Sequence, residues 1–154
     1  MIIIGTSCQM EMLVTEEFTA AHVNPELMPV FGSPYMVGLA ENAAHTVLSC
    51  FLDEDQTSVG LSMEFEHISP TPIGVKIYVE AEITNVSENS KRVEFKWKAW
   101  DEKCDIAHGT HLRAIVQTIF SIFISMDRIR TFYILYRTFP IFTTFLLAFS
   151  TVFF

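Results

Sequence analysis

The feature that most constrains this fold is one apolar helix followed by a series of alternating strands. Ser33 and Pro34 begin the helix, with serine predicted as the N-cap and proline at the first helical position. Apolar residues at helical spacing continue to about Phe51. In "VKIYVEAEI" (75–83) and "RVEFKWKAW" (92–100), every second residue is apolar, which is typical of strands. The sequence therefore predicts an α+β fold in which an antiparallel sheet curls around one long helix.

Three further strands complete the predicted sheet. The first lies at 9–19, before the helix; "LSMEFEH" (61–67) follows the helix, and "IAHGTHLRAIV" (106–116) is the last. The turns "SPTPIG", "SENS" and "DEK" separate the four strands after the helix. We expect these four strands to pair as an antiparallel meander.

The charge and the cysteine count exclude several classes of protein. Eighteen acidic residues against ten basic residues give a formal net charge of −8, which argues against a nucleic-acid partner. Three widely spaced cysteines fit neither a disulfide framework nor a CxxC metal site, so a reduced, cytoplasmic setting is predicted. The N-terminus "MIIIGTSCQMEM" lacks a basic region and predicts no signal peptide.

The end of the chain differs in composition from the rest. Nine of the fourteen phenylalanines lie in 120–154, and Thr138–Phe154 carries no charge and follows three arginines. We therefore divide the chain into a domain of residues 5–118 and an apolar tail of residues 119–154. The tail is interpreted either as a membrane anchor, although it is shorter than the ~20 apolar residues of a spanning helix, or as an aberrant C-terminus. In both cases it is predicted to be dispensable for catalysis.

Two ionisable residues occupy positions where the pattern predicts apolar contacts. Glu41 lies at the edge of the core-facing stripe of the helix, where an unpaired carboxylate is costly. It either reaches water or a backbone donor, or it is catalytic. His67 shares the apolar face of its strand with Leu61, Met63 and Phe65. A lone histidine there is usually a core residue, but two such groups on facing surfaces favour a site. Ser33, at a helix N-terminus that attracts anions, could face the same pocket.

The remaining histidines and the known motifs indicate no metal or nucleotide site. His108 and His111 are three residues apart, which places them on opposite faces of a strand. His22 and His45 have no obvious partners in the pattern. The sequence contains no GxGxxG, P-loop, GxSxG or HExxH motif.

Three separated blocks, "PVFGSPYMVGLAENAA", "SVGLSMEFEHISPTPIGVKIYVEAEI" and "GTHLRAIV", resemble the hotdog-fold thioesterases, specifically the fluoroacetyl-coenzyme A thioesterase-like family. The resemblance covers roughly Gly5 to Gln117. It implies a hotdog fold and a homodimer, or a dimer of dimers, whose sheets join edge to edge. It also implies an enzyme that hydrolyses a short acyl-coenzyme A to free acid and coenzyme A. No metal or redox cofactor is implied, since coenzyme A is part of the substrate.

The resemblance also implies roles for five residues. The catalytic hydroxyl falls on Ser33, where the fluoroacetyl enzyme has threonine, the carboxylate on Glu41 and the histidine on His67. Gly60 lines the site and Arg113 lies near the coenzyme, so both are predicted to bind substrate. Serine lacks the methyl group that restricts the threonine rotamer, and the loop "NPELMP" lacks an aromatic gate. The acyl group is therefore left open beyond being small.

Several mechanisms and functions stay open at this point. The nucleophile could be Ser33, Glu41 or an activated water, while His67 would orient a partner and assist proton transfer. The helix N-terminus and the backbone near Gly60 would stabilise the oxyanion. One alternative function is a non-catalytic acyl-coenzyme A binding protein. The other is a hotdog hydratase or dehydratase, although the Asp and His of such a site are not correctly spaced.

Overall fold

Five strands form one sheet, and a single long helix packs against it. The computed structural model describes residues 1–118, and Met1–Val116 forms one compact unit. The elements in chain order are β1 (Ser7–Leu13), a 3-10 turn (Glu16–Phe18), α1 (Ala20–Val23), α2 (Ser33–Ser49), β2 (Gln56–His67), β3 (Lys76–Val86), β4 (Arg92–Trp100) and β5 (Asp105–Gln117). The predicted α+β architecture, with one long helix and five strands, is confirmed.

The alternating strands bury the residues that the pattern selects. β3 pairs antiparallel with β1 on one side and with β4 on the other. The inward side chains of β3 and β4 are almost fully buried: Ile77, Val79, Ala81, Ile83, Val93, Phe95, Trp97 and Ala99. α2 supplies the other half of the core with Met36, Ala40, Ala43, Ala44, Val47 and Leu48. Three of these helical residues are alanines, which allow a close approach of helix and sheet.

The position of β2 differs from the predicted meander. The strand order is β1-β3-β4-β5-β2, so β2 lies at the edge beside β5 rather than beside β3. The connection from β2 to β3 contains two prolines and is too long for a tight hairpin. This connection is instead bound to the segment before α2, where the amide of Phe31 donates a hydrogen bond to the Thr71 carbonyl oxygen at 2.8 Å. Only β3, β4 and β5 follow one another as a meander.

The apolar face predicted for β2 is largely exposed within one protomer. Leu61 is 50% and Phe65 40% exposed, and Ser58 is the buried residue of the strand. The prediction that this face lies in the core is therefore wrong for Leu61 and Phe65, whereas Met63 packs against the core cluster. β2 also begins at Gln56, earlier than predicted, and is therefore a long edge.

Two element boundaries before the main helix also differ. β1 ends at Leu13, where a strand extending to residue 19 was predicted, and the chain then forms the 3-10 turn and α1. Gly32, not Ser33, is the N-cap of α2, because its carbonyl oxygen accepts from the amide of Met36 at 3.3 Å. Ser33 is instead the first helical residue, and its hydroxyl is used elsewhere.

The predicted tail, residues 119–154, lies outside the described residues, and so do its interpretations as an anchor or an aberrant terminus. In the part of the chain that the structure describes, no helix has the length and hydrophobicity needed to cross a membrane.

Candidate active site

Ser33 and His67 are brought together by the end of β2 and the first turn of α2. The Ser33 Oγ and His67 Nδ1 atoms lie 2.9 Å apart, a hydrogen bond between two partly buried side chains. An open cavity of about 350 Å³ lies beside the pair, a size suited to a small molecule. Its lining residues are Ala20, Val30, Phe31, Ser33, His67, Ile68, Ser69 and Pro70. This arrangement places a hydroxyl and a base at a mostly apolar pocket.

The second ring nitrogen of His67 has no such partner. Nε2 is buried and forms no hydrogen bond with any residue in 1–118. If the Ser33 hydroxyl donates to Nδ1, as a base requires, Nε2 carries the proton and needs an acceptor. A buried donor without an acceptor is costly, so residues 1–118 alone leave this end of the site without one hydrogen-bond acceptor.

Glu41 lies on α2 beside Gly60 of β2. Its side chain is 45% exposed, and its Oε1 lies 3.7 Å from Nε2 of His111. A Cβ atom at residue 60 would collide with this carboxylate, so the absence of a side chain at Gly60 makes room for it. The glycine predicted to line the site thus has a steric reason to be there. Both interpretations of Glu41 remain compatible with this position, since the carboxylate is partly exposed and lies beside the buried His111.

The Arg113 guanidinium is buried and joins α2, β2 and β5 through four hydrogen bonds. Nε donates to Ser58 Oγ at 3.0 Å, and Nη2 donates to the Ser58 carbonyl oxygen at 2.9 Å. Nη1 donates to the main-chain carbonyl of Glu41 at 3.4 Å and to Nε2 of His111 at 3.0 Å. Four of the five N–H donors of the guanidinium are used in these bonds. The role of Arg113 near the coenzyme stays a prediction.

The pattern-based analysis missed His111 as a member of this cluster. His111 is 3% exposed, and its Nδ1 lies 2.9 Å from the carbonyl oxygen of Ser62. Burial lowers the pKa of His111, and the Arg113 charge acts in the same direction, against the hydrogen bond to Ser62 and the Glu41 charge. The signal available in the sequence was that His111 and Arg113, two residues apart, lie on the same face of a largely apolar strand. His108 is exposed on the other face, as predicted.

The predicted residues form two clusters within a protomer. Ser33 and Glu41 are eight residues apart on α2, which corresponds to roughly 12 Å along the axis. Gly60 and His67 are seven residues apart on β2, roughly 23 Å for an extended strand. We predict from the sequence that Glu41 and His67 could approach each other. The structure instead pairs His67 with Ser33 and places Glu41 beside His111.

The outer face of the sheet carries a larger cleft, of about 460 Å³, with different chemistry. Its lysines are paired with glutamates, Lys96 with Glu82 at 2.9 Å and Lys98 with Glu80 at 3.3 Å. Within residues 1–118, no group of three His, Cys, Asp or Glu side chains is arranged to hold a metal ion. The Ser33–His67 cavity is the better candidate for chemistry, since it combines a hydroxyl with a base.

Known proteins are similar to this chain in sequence and in fold. Residues 14–118 match the family described as fluoroacetyl-CoA-specific thioesterase. A fluoroacetyl-CoA thioesterase of Streptantibioticus cattleyicolor is 29% identical over 119 residues, covering 73% of this chain and 84% of that protein. A solved structure of the fluoroacetyl-CoA thioesterase FlK has a TM-score of 0.73 at 27% identity, covering 82% of this chain and 95% of that chain. A thioesterase superfamily member from Thermus thermophilus has a TM-score of 0.76 at 24% identity, covering 86% and 96%, and shows the same fold.

Proposed function

Since the chain belongs to the fluoroacetyl-CoA-specific thioesterase family and is an acyl-coenzyme A thioesterase of the hotdog fold, we propose that it hydrolyses a short acyl-coenzyme A at Ser33, His67 and Glu41. The products are the free acid and coenzyme A. The observation that carries this assignment is the 2.9 Å hydrogen bond between Ser33 Oγ and His67 Nδ1 beside the 350 Å³ cavity. The cavity walls contributed by Ala20, Val30 and Phe31 suit a small apolar acyl group.

In the proposed reaction, His67 moves the protons. Nδ1 takes the hydroxyl proton of Ser33 as Oγ bonds to the thioester carbon, and the N-terminus of α2 stabilises the negative charge that develops on the carbonyl oxygen. The carbon–sulfur bond then breaks, and the proton on His67 passes to the leaving coenzyme A sulfur. Water, deprotonated by the same nitrogen, hydrolyses the acyl–serine ester and restores both groups. These steps use side chains, the main chain at the N-terminus of α2, and water.

The proposed role of Glu41 is to accept the hydrogen bond that Nε2 of His67 does not make with any residue in 1–118. A carboxylate in this position orients the imidazole and stabilises the imidazolium that forms during proton transfer. Since Glu41 lies beside His111 and His67 pairs with Ser33, we propose that the carboxylate comes from a second copy of the chain.

The edge strand β2 offers the means to bring two copies together. It is twelve residues long and carries exposed apolar side chains, and such an edge is usually covered. Antiparallel pairing of β2 with the partner's β2, about a twofold axis close to the middle of the strand, would bring Gly60 near the end of the partner's β2, where His67 lies. Glu41, which lies beside Gly60, would then approach the partner's His67 Nε2. We therefore propose a homodimer, or a dimer of dimers, with composite sites.

We propose a cytoplasmic location, which the thiols support. Cys8, Cys50 and Cys104 are all free, two of them exposed, which supports a reducing cytoplasmic location. The acyl-coenzyme A substrate is the proposed small-molecule partner, and the net charge of −8 disfavours nucleic acid.

The proposed function is tested by a thiol-release screen over a panel of acyl-coenzyme A esters. We expect turnover of small aliphatic esters, with rates that fall as the acyl chain outgrows the cavity. Saturable binding without release of coenzyme A would identify a binding protein. Water addition to an enoyl thioester without thiol release would identify a hydratase. Either result would overturn the proposal.

A further inference from the structure

Two buried, ionisable side chains next to Glu41, those of His111 and Arg113, take no part in the proposed reaction. His111 is 3% and Arg113 5% exposed. Groups of this kind are costly in a protein interior unless their hydrogen bonds are satisfied. The partners of both residues are defined and connect them to Glu41, so their arrangement bears on the carboxylate.

The hydrogen bonds of His111 determine its protonation state. Nδ1 lies 2.9 Å from the Ser62 carbonyl oxygen, which can only accept, so Nδ1 carries a proton. Nε2 lies 3.0 Å from Nη1 of Arg113, which can only donate, so Nε2 presents a lone pair. If His111 were an imidazolium, its Nε2–H and the Nη1–H of Arg113 would be two positively charged donors facing each other at 3.0 Å. His111 is therefore the neutral Nδ1–H tautomer, in agreement with its buried position.

A neutral His111 is not the counter-charge of Glu41, although Nε2 and Oε1 are 3.7 Å apart. That distance is too long for a hydrogen bond, and this nitrogen has no proton to donate. The positive charge on this side of Glu41 belongs to Arg113, whose Nη1 also holds the Glu41 main-chain carbonyl oxygen. The other titratable group facing the cluster is His45 of α2, whose Nδ1 lies 2.9 Å from Ser58 Oγ.

We infer that His111 is a positioning residue of the thioesterase site: by accepting a hydrogen bond from Arg113, it fixes the guanidinium that holds the main-chain carbonyl of Glu41, and so positions the helix turn that carries the carboxylate. This inference rests on the proposed catalytic role of Glu41. His111 acts through Arg113 and contacts neither the acyl group nor the coenzyme. Its useful property is that it remains a neutral acceptor where a charged histidine would displace the arginine.

Two substitutions separate the functions of the two ring nitrogens. His111→Gln can place its amide oxygen near the position of Nε2 and keep the acceptor for Arg113. His111→Asn can place its amide nitrogen near Nδ1, keep the bond to Ser62 and lose that acceptor. We expect kcat of the Gln variant to stay close to that of the unsubstituted enzyme. In the Asn variant kcat should fall about tenfold, the effect of one hydrogen bond to a charged group, with KM unchanged.

The division of the effect between kcat and KM, together with rescue by the Gln variant, supplies a readout that a purely structural role would not move. A loss of kcat at unchanged KM in the Asn variant, restored in the Gln variant, assigns the effect to the hydrogen bond with Arg113. Equal kcat values in all three proteins would overturn the inference, and so would a Gln variant as impaired as the Asn variant. If Glu41→Gln keeps full activity, the proposed role of Glu41 is wrong, and the inference that rests on this role is then wrong as well.

A measurement on the unsubstituted chain covers the case in which the Asn variant does not fold. Nitrogen-15 NMR of the His111 imidazole should show the Nδ1–H tautomer at neutral pH, with protonation only below the ordinary histidine value of about 6.5, because burial lowers its pKa. An Nε2–H tautomer, or titration near the ordinary histidine value of about 6.5, would contradict the inference.

Discussion

The two ends of the proposed site differ in how completely their polar groups are satisfied. At the N-terminus of α2, Ser33 and His67 share one hydrogen bond, and Nε2 of His67 has no acceptor among residues 1–118. In the middle of the same helix, the main chain of Glu41 is tied to Arg113, which donates four hydrogen bonds. One end contains a reactive side chain with an atom that lacks a hydrogen-bond partner. At the other end, most N–H groups of the Arg113 guanidinium have an acceptor.

This difference separates the groups that react from those that support them. A base and a hydroxyl must be free to exchange protons with a substrate, so their partners arrive with the substrate or with a second chain. A supporting arginine works best when it cannot move, and a buried, multiply bonded guanidinium meets that requirement. The exposed carboxylate of Glu41 lies at the boundary between the two regions, anchored on one side and open on the other.

The largest effect is expected from removing a proton-transferring or orienting group. Glu41→Gln and His67→Ala should each lower kcat by about a hundredfold or more, typical of a lost acid or base, while thermal unfolding stays cooperative. Glu66→Gln and His108→Ala change exposed residues of the same types and are matched controls expected to remain active. Near-normal thioester hydrolysis in both site variants would remove the basis of the assignment.

A smaller loss is expected at the hydroxyl. Ser33→Ala should lower kcat by about tenfold or more, since water in the cavity can replace the lost nucleophile only in part. Ser33→Thr keeps the hydroxyl and should keep most of the activity. Because Gly32 is the N-cap, the loss of stability in Ser33→Ala should not exceed about 1 kcal/mol, the value of one hydrogen bond. An alanine variant with altered stability and an unchanged rate would leave Ser33 without a chemical role.

Gly60→Ala tests the boundary between the two regions. The new Cβ would collide with Oε1 of Glu41 and lie 3.1 Å from Cε1 of His111, so the carboxylate must turn away. We expect kcat to fall about tenfold, as one charge-assisted contact is lost, with little change in the free energy of unfolding, because a flexible side chain yields easily. Gly38→Ala is the matched control, since a Cβ there meets nothing within 4 Å. Unchanged kinetics in Gly60→Ala would mean that the observed carboxylate position is not the working one.

The smallest effect concerns stability and pH in the buried network. Burial lowers the pKa of His111 in the folded chain, so the unfolded chain binds an additional proton below about pH 6.5. The free energy of unfolding should therefore decrease as pH falls through that value, by up to about 1.4 kcal/mol per pH unit for this one group. Urea titrations of the unsubstituted protein and of His111→Gln should show the steeper dependence in the former. Parallel curves would show that His111 does not hold its neutral form in the folded state.

The sequence predicted the interior strands well because their pattern is local. Along β3 and β4, apolar and charged residues alternate, and the buried face follows from that alternation alone. The predicted position of β2 was wrong. Strand pairing depends on how the chain crosses from β2 to β3, and no local pattern in the sequence encodes that crossing. The predicted serine cap failed by one residue, since glycine is also accepted at an N-cap.

The candidate site was predictable only in part for a related reason. Glu41 and His67 were recognised because each is a polar residue in an apolar pattern. His111 was missed, since its importance arises from contacts of Arg113 with three separate elements. The separation of Glu41 from His67 depends on the positions of α2 and β2 in space, and a proposal of composite sites needs that geometry.

The most direct test of the composite site is to mix two inactive variants. Glu41→Gln and His67→Ala, refolded together, form mixed dimers in which one site combines an intact Ser33 and His67 with the partner's intact Glu41. The account predicts recovery of about a quarter of the unsubstituted activity at random assortment in a twofold dimer, while each variant refolded alone stays inactive. A mixture that remains as inactive as its components, with mixed dimers demonstrated by mass spectrometry, would show that the three residues act within one chain and would contradict the account.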